Sequence, residues 1–274
     1  MSGRMVELKD GATVHVVEDG EGMPVFFQHG LGGDRNQAAE SFPAGLCRRI
    51  TVECRGHGRS PFDADGHYSI ARFADDLLAV ADALQIDRFA IGGISMGAAI
   101  AARLAVTVPE RVTALMLVRP AWIAQSRPDN MRPFEEAAAL LRDHGAAGRD
   151  IFRRSETGER LAREAPDNLA SLMGFFDRAE PERLAVLLDA IARDGPGISA
   201  AQLARVTLPT LVVGHGEDLV HPLGHAQRLA ELIPAAEFAE ITPKARDRAL
   251  HFEDLHAALS GFLARHVIRQ GETS

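Results

Sequence analysis

The chain has only two cysteines, Cys47 and Cys54, and only two lysines, Lys9 and Lys244, among its 274 residues. The cysteines flank one predicted strand. Extended chain of that length sets them on opposite faces, too far apart to bridge. Both are expected to be reduced, which fits a reducing compartment. No run of about twenty apolar residues exists, so no membrane span is expected. The opening Met1-Ser2-Gly3-Arg4-Met5-Val6-Glu7 lacks the apolar core of a signal peptide. The expected location is therefore the cytoplasm. Positive charge is not in excess either: the net charge is −8. That balance argues against nucleic acid or an anionic membrane as the main partner. Scarce lysine beside abundant arginine and alanine reads as the codon bias of a GC-rich, bacterial genome, not as function.

What is present is apolar residues, at 46% of the chain. That is enough to bury a large core in one or two domains. Thr13-Val14-His15-Val16-Val17 before Asp19-Gly20 suggests an initial hairpin. Val25-Phe26-Phe27-Gln28 and Arg49-Ile50-Thr51-Val52-Glu53 read as strands, each ending in a glycine-rich loop. Residues 70–84 carry Phe73, Leu77, Val80 and Leu84 on one helical stripe. Further strands are expected at Phe89-Ala90-Ile91, 114–118, 211–213 and 238–241. Strands apolar throughout, alternating with helices, indicate an α/β fold with a mostly parallel sheet covered by helices on both faces. Ligands bind outside the carboxyl ends of such strands, where the glycine-rich loops fall.

The alternation stops between Arg119-Pro120 and Leu208-Pro209. Helical patterns fill the gap at 132–144, 148–165, 167–177 and 181–193. The expected organisation is a core of 1–120 and 208–274 with a helical cap, 121–207, inserted late in the chain; a separate helical domain is the alternative. Such a cap excludes water and shapes a pocket. Trp122, Phe134, Phe152, Leu172, Met173, Phe175 and Phe176 are candidate walls, most of them ordinary packing. Trp122, Phe152 and Phe176 are singled out as substrate contacts. An exposed apolar face on the cap would allow a homodimer.

Gly93-Ile94-Ser95-Met96-Gly97 carries the chemistry. It matches the Gly-x-Ser-x-Gly nucleophile elbow, with a strand before it and a helix after it. A serine squeezed into that turn is strained, so small residues are needed where the chain nears itself. Its hydroxyl is then exposed at the tip of the sheet, and the next amide points at the reacting atom. An ordinary glycine-rich turn is the bland alternative. No glycine spacing forms a phosphate cradle, so no cofactor is expected.

These pieces, in this order, resemble the α/β-hydrolase fold family. They are similar to its capped branch of esterases, haloperoxidase-like proteins and carbon–carbon bond hydrolases. The resemblance runs from about Gly11 to about Ala264. It rests on His29-Gly30-Leu31-Gly32-Gly33, Arg55-Gly56-His57-Gly58-Arg59-Ser60, the Ser95 elbow, and Tyr68-Ser69-Ile70 leading into Ala74-Asp75-Asp76-Leu77. It implies that Ser95 is a nucleophile and that the amides of Leu31 and Met96 form an oxyanion hole. Asp218, four residues before Pro222, would be the acid that orients a histidine; its bland role is a helix cap. His29, Arg55 and Ser60 are expected to tie loops together. His215, His221 and His225 near Asp218 raise a metal site, but no metal is expected from histidines that start a helix at the protein edge.

The implied histidine is where the sequence departs from the family. Counting forward from Ile241 puts its position near Arg246, and counting back from a helix start at Phe252 puts it near Arg248. Arginine stays protonated and cannot take a proton from serine. Three readings remain open. The lengthened loop folds so that His251 completes a triad with Ser95 and Asp218, although His251 also matches a noncatalytic histidine common at this helix start. Lys244, Arg246 or Arg248 pairs with Asp218 or grips an anionic substrate. Or the chain is a ligand-binding relative with little catalysis. The first reading implies a serine-dependent hydrolase of a small ester, thioester or lactone with an apolar acyl part, acting through an acyl-enzyme.

Overall fold

A computed structural model describes residues 2–234 and 236–268. Eight strands form one sheet in the order β1-β2-β4-β3-β5-β6-β7-β8. β1 (Ser2–Glu7), β2 (Thr13–Asp19) and β4 (Arg48–Glu53) pair antiparallel in that order. From β4 onward the sheet is parallel, through β3 (Pro24–Gln28), β5 (Phe89–Ile94), β6 (Val112–Val118), β7 (Thr210–Gly214) and β8 (Ala236–Glu240). The hairpin expected around Asp19-Gly20 differs from this. β2 turns back on β1, a strand hidden in the charged N-terminal residues, and not on β3.

Alternate strand residues enter two separate cores, because both faces of the sheet are covered. Phe26, Ile91, Leu115 and Leu117 pack under α2 (Ile70–Ala83) and α3 (Met96–Thr107). Val25, Phe27, Ala90, Ala114 and Met116 pack under α1 (Arg35–Ser41) and, at the far end of the chain, the helix Arg248–Leu263. Cys47 and Cys54 are free and buried in different cores, so they face opposite sides of the sheet.

Between β6 and β7 the described residues contain six α-helices and no strand: α4 (Arg132–His144), α5 (Gly148–Arg154), α6 (Glu156–Glu164), α7 (Pro166–Met173), α8 (Pro181–Arg193) and α9 (Ala200–Leu203). The single helix expected over 148–165 breaks at Ser155, whose hydroxyl accepts from the Gly158 amide and starts α6. α10 (Leu223–Leu232) follows β7, and the terminal helix, α11, is Arg248–Leu263. α11 begins four residues before the expected Phe252, because the Asp247 side chain accepts from the Leu250 amide and caps it there. None of the described helices is long and apolar enough to cross a membrane.

Candidate active site

The loops after β3, β5, β6 and β7 meet helices of the insertion around a cavity of about 350 Å³. Ser95 lines it, between β5 and α3, with φ 56° and ψ −109°. A non-glycine residue in that region is strained unless its neighbours hold it. They do: the Ser95 amide donates to the Val118 carbonyl on β6, and the Ala99 amide donates back to the Ser95 carbonyl. Gly93 and Gly97 make the turn sterically possible. A Cβ on Gly97 would stand 2.5 Å from the Gln28 carbonyl oxygen, and one on Gly93 would stand 2.7 Å from the same atom. Ser95 is 6% exposed.

Leu31 also lines the cavity, in the loop after β3 that runs beside Ser95: a Cβ on Gly30 would stand 3.4 Å from the Ser95 Cβ. The Gly30 amide donates to Gln37 Oε1 at 2.7 Å and the Gly33 amide to the Gly30 carbonyl, which fixes this loop around Leu31. Neither the Leu31 nor the Met96 amide donates to an acceptor among the described residues. Both ring nitrogens of His29 are taken by backbone: Nδ1 by the Gly30 carbonyl and Nε2 by the Cys54 amide. Burial pushes its proton affinity down, so it is a neutral strut. Arg55 is spent on Asp76 and Asp63, and the Ser60 hydroxyl bridges the Glu53 carbonyl and the His15 amide.

Asp218 does not itself line the cavity; its side chain is 1% exposed and contacts Arg119 and His221, which do line it. It caps no helix. Its Oδ1 accepts from the His221 amide at 2.9 Å, and His221 Nδ1 is 3.0 Å from both oxygens. Its Oδ2 also accepts from Arg119 Nε at 2.9 Å and Nη2 at 2.6 Å. Burial alone would raise this carboxyl; the Arg119 and His221 charges and hydrogen bonds overcome it and hold it well below the usual carboxylate range. His215 Nε2, buried without a hydrogen bond, is 3.6 Å from Oδ2. Burial and the Arg119 charge push His215 down to about 4.

The structure does not bring His251 to this place. It lies in the first turn of α11, where its amide donates to the Asp247 carbonyl. Its Nδ1 is bonded to the Thr242 carbonyl at 2.8 Å, its ring stands edge-on to His215, and it does not line the cavity. The physical reason is the early start of α11, which leaves no lengthened loop to carry it across. Arg246 and Arg248 point elsewhere too, to Glu217 and Glu40 on the surface. Of the three aromatic residues singled out, Trp122 donates to the Asp194 carbonyl, and Phe152 and Phe176 pack on each other inside the insertion. None lines the cavity, whereas Phe134, Leu172 and Phe175 do.

Sequence reasoning missed most of the polar lining: Arg119, Arg178, Asn168, Ser171 and Gln37, with His221 weighed only as a metal ligand. His215 and His221 are not at the protein edge but buried in front of α10. Arg119 had one usable signal, its place directly after an apolar strand. Among the described residues no cluster of three or more potential ligands could hold a metal ion.

Residues 23–252 match the alpha/beta hydrolase fold family. The chain belongs to that family. It is 30% identical over 237 residues to a Rhizobium rhizogenes protein provisionally named the carbamate hydrolase RutD, covering 82% of this chain and 86% of that one. Two solved structures share the fold. The enol-lactonase from Burkholderia xenovorans has a TM-score of 0.68 at 23% identity, covering 99% of this chain and 100% of that one. The bromoperoxidase from Bacillus anthracis has a TM-score of 0.72 at 21% identity, covering 96% and 100%.

Proposed function

We propose that this α/β-hydrolase cleaves a small acyl compound through an acyl-enzyme formed on Ser95. One observation carries the reading: a serine held at φ 56° in the cavity lining, next in the chain to Met96 and sharing that lining with Leu31, with neither amide donating to an acceptor among the described residues. Two amides converging on one oxygen stabilise the negative charge of a tetrahedral intermediate, and losing one such donor costs about 3–4 kcal/mol. The helical insertion acts as a cap, since its Phe134, Leu172 and Phe175 form part of the cavity wall.

The lining argues against an apolar acyl group. Arg178 has no carboxylate partner among the described residues; its Nη2 donates to the Gly32 carbonyl at 2.5 Å and its guanidinium stacks on Phe175. With Arg119, Asn168 and Ser171 it makes a polar wall that suits a small substrate with an electron-rich or anionic end. An ester, thioester or lactone of that kind fits. So does a carbamate, which the name of the RutD relatives adds, because its carbonyl can be attacked in the same way.

A fluorophosphonate probe and a nitrophenyl ester test the reading together. Wild type should be labelled and should turn over the ester; Ser95→Ala should not be labelled and should lose on the order of a millionfold in turnover. Equal turnover by Ser95→Ala would sink the reading. A second reading, a ligand-binding relative, draws on the guanidinium of Arg119 occupying Asp218. It expects no labelling of wild type but saturable binding of small carboxylates.

A further inference from the structure

We propose that His221 is the general base of this site, so that acid and base stand three residues apart on one loop. The inference rests on the Ser95 reading above. Among the described residues His221 is the one histidine that lines the same cavity as Ser95. The other histidines nearby do not line the cavity, and each turns Nδ1 to a backbone carbonyl instead of a carboxylate. His251 Nδ1 holds the Thr242 carbonyl, His215 Nδ1 the Gly216 carbonyl and His225 Nδ1 the Ala121 carbonyl.

The tautomer follows from the charges. His221 Nδ1 lies 3.0 Å from both Asp218 oxygens, and Arg119 Nη2 lies 3.2 Å from the same nitrogen. An unprotonated Nδ1 would accept from Arg119 Nη2, but its lone pair would also face both oxygens of an ionised carboxylate at 3.0 Å. Placing the proton on Nδ1 turns that repulsion into a charge-assisted hydrogen bond, while Arg119 keeps its two bonds to Oδ2. The lone pair is then on Nε2. Among the described residues that atom has no hydrogen-bond partner, and the side chain keeps 11% of its surface exposed.

The loop is held for this purpose from several sides. Asn168 Oδ1 on α7 accepts the Leu219 and Val220 amides at 2.9 and 3.0 Å. Asn130 Nδ2 donates to the Val220 carbonyl at 2.6 Å, and the His221 amide is tied to Asp218. Side chains that act as bases need this kind of fixed orientation more than they need a particular place in the sequence.

The charged groups facing His221 are Asp218 and Arg119, with His225 beside it on α10 and His215 behind Asp218. Burial pushes the imidazole down, Asp218 pulls it back up, and Arg119 pushes it down again; the result is a lowered proton affinity. His221 is thus neutral and able to accept a proton at neutral pH. Arg119 is a positioning residue: it keeps Asp218 ionised and sets the affinity of the base.

In the reaction Ser95 Oγ bonds to the acyl carbon as its proton passes, directly or through one water, to His221 Nε2. The carbonyl electron pair moves onto oxygen, against the Leu31 and Met96 amides. Collapse re-forms the carbonyl and breaks the bond to the leaving group, which takes the proton from Nε2. Water then attacks the acyl carbon, gives a proton to Nε2, and Ser95 Oγ regains that proton as the acid departs.

The test uses the full chain with the fluorophosphonate probe and the nitrophenyl ester, in wild type, Ser95→Ala, His221→Ala, His221→Gln and His251→Ala, with folding checked by circular dichroism. Both His221 variants should lose about a hundredfold to ten-thousandfold in labelling and turnover, with His251→Ala close to wild type. Imidazole should restore part of the activity of His221→Ala. In Arg119→Gln the acid limb of kcat/KM should move to higher pH, because a positive charge has left the base; a purely structural role would not move it. Wild-type rates in folded His221→Ala, with Ser95→Ala silent, overturn the base assignment and leave the Ser95 reading standing. Should the His221 variants fail to fold, an unmoved acid limb in Arg119→Gln overturns it instead. An unlabelled wild type overturns both.

Discussion

The two sides of the cavity are held in place by different forces. On the serine side the work is done by backbone. Ser95 is pinned by amide–carbonyl bonds, Gly93 and Gly97 clear the path of the Gln28 carbonyl, and Gln37 fixes the loop of Leu31. On the acid side the work is done by charge. Asp218 is almost fully buried and is kept ionised by a guanidinium and an imidazole. A backbone-built wall should resist added volume and ignore pH; a charge-built wall should tolerate a change of volume better than the loss of a partner, and should respond to acid.

Arg119→Gln is the strongest way to break that contrast. Removing one partner of a buried pair typically costs about 3–5 kcal/mol, because the other charge is left uncompensated. Asp218 has a depressed folded-state proton affinity, so it stabilises the fold above the ordinary carboxylate range, and that contribution fades as pH falls through its folded value. The deficit of Arg119→Gln should therefore be full at neutral pH and shrink in acid. Urea denaturation at two pH values reads it directly; a deficit that stays constant would mean that Arg119 acts by packing alone.

Gly97→Ala probes the other wall. The new Cβ would meet a backbone oxygen at 2.5 Å, a neighbour that cannot swing aside. Overpacking of this kind costs about 1–3 kcal/mol, and turnover should fall as the elbow shifts. The same loss is expected at neutral and acidic pH. A pH-dependent loss would show that the elbow is coupled to the charges across the cavity.

The same division explains what could be read from the sequence. The elbow is local: strand, Gly-Ile-Ser-Met-Gly and helix lie together in the chain, so the turn's geometry can be read from one short stretch. The helices at Arg132–His144 and Pro181–Arg193 are legible for the same reason. Asp218 was singled out through spacing to a proline, again a local signal. Arg119, by contrast, reaches Asp218 from 99 residues away, and no pattern along the chain announces such a pair. His251 was misplaced by one local detail, the Asp247 cap, which starts α11 early and removes the loop that was to carry the histidine. His221 was in plain view three residues after Asp218, but an imidazole there reads as a metal ligand until the carboxylate, the guanidinium and the cavity are seen together.

The smallest expected effect marks where the charge-built wall ends. Arg246 holds the position at which a family histidine was sought, yet it is largely exposed and pairs with Glu217 at the surface. Exposed pairs contribute about 0–1 kcal/mol, since water and salt screen them and the long side chains lose freedom. Arg246→Ala should therefore change stability by less than about 0.5 kcal/mol, with kcat and KM for the nitrophenyl ester unchanged. A rise in KM at constant stability would place the loop after β8 within reach of the substrate and extend the charged wall beyond Arg119 and Asp218. Unchanged constants would leave the ionic part of the site to Arg178 and to the loops after β6 and β7, where Arg119, Asp218 and His221 already satisfy one another.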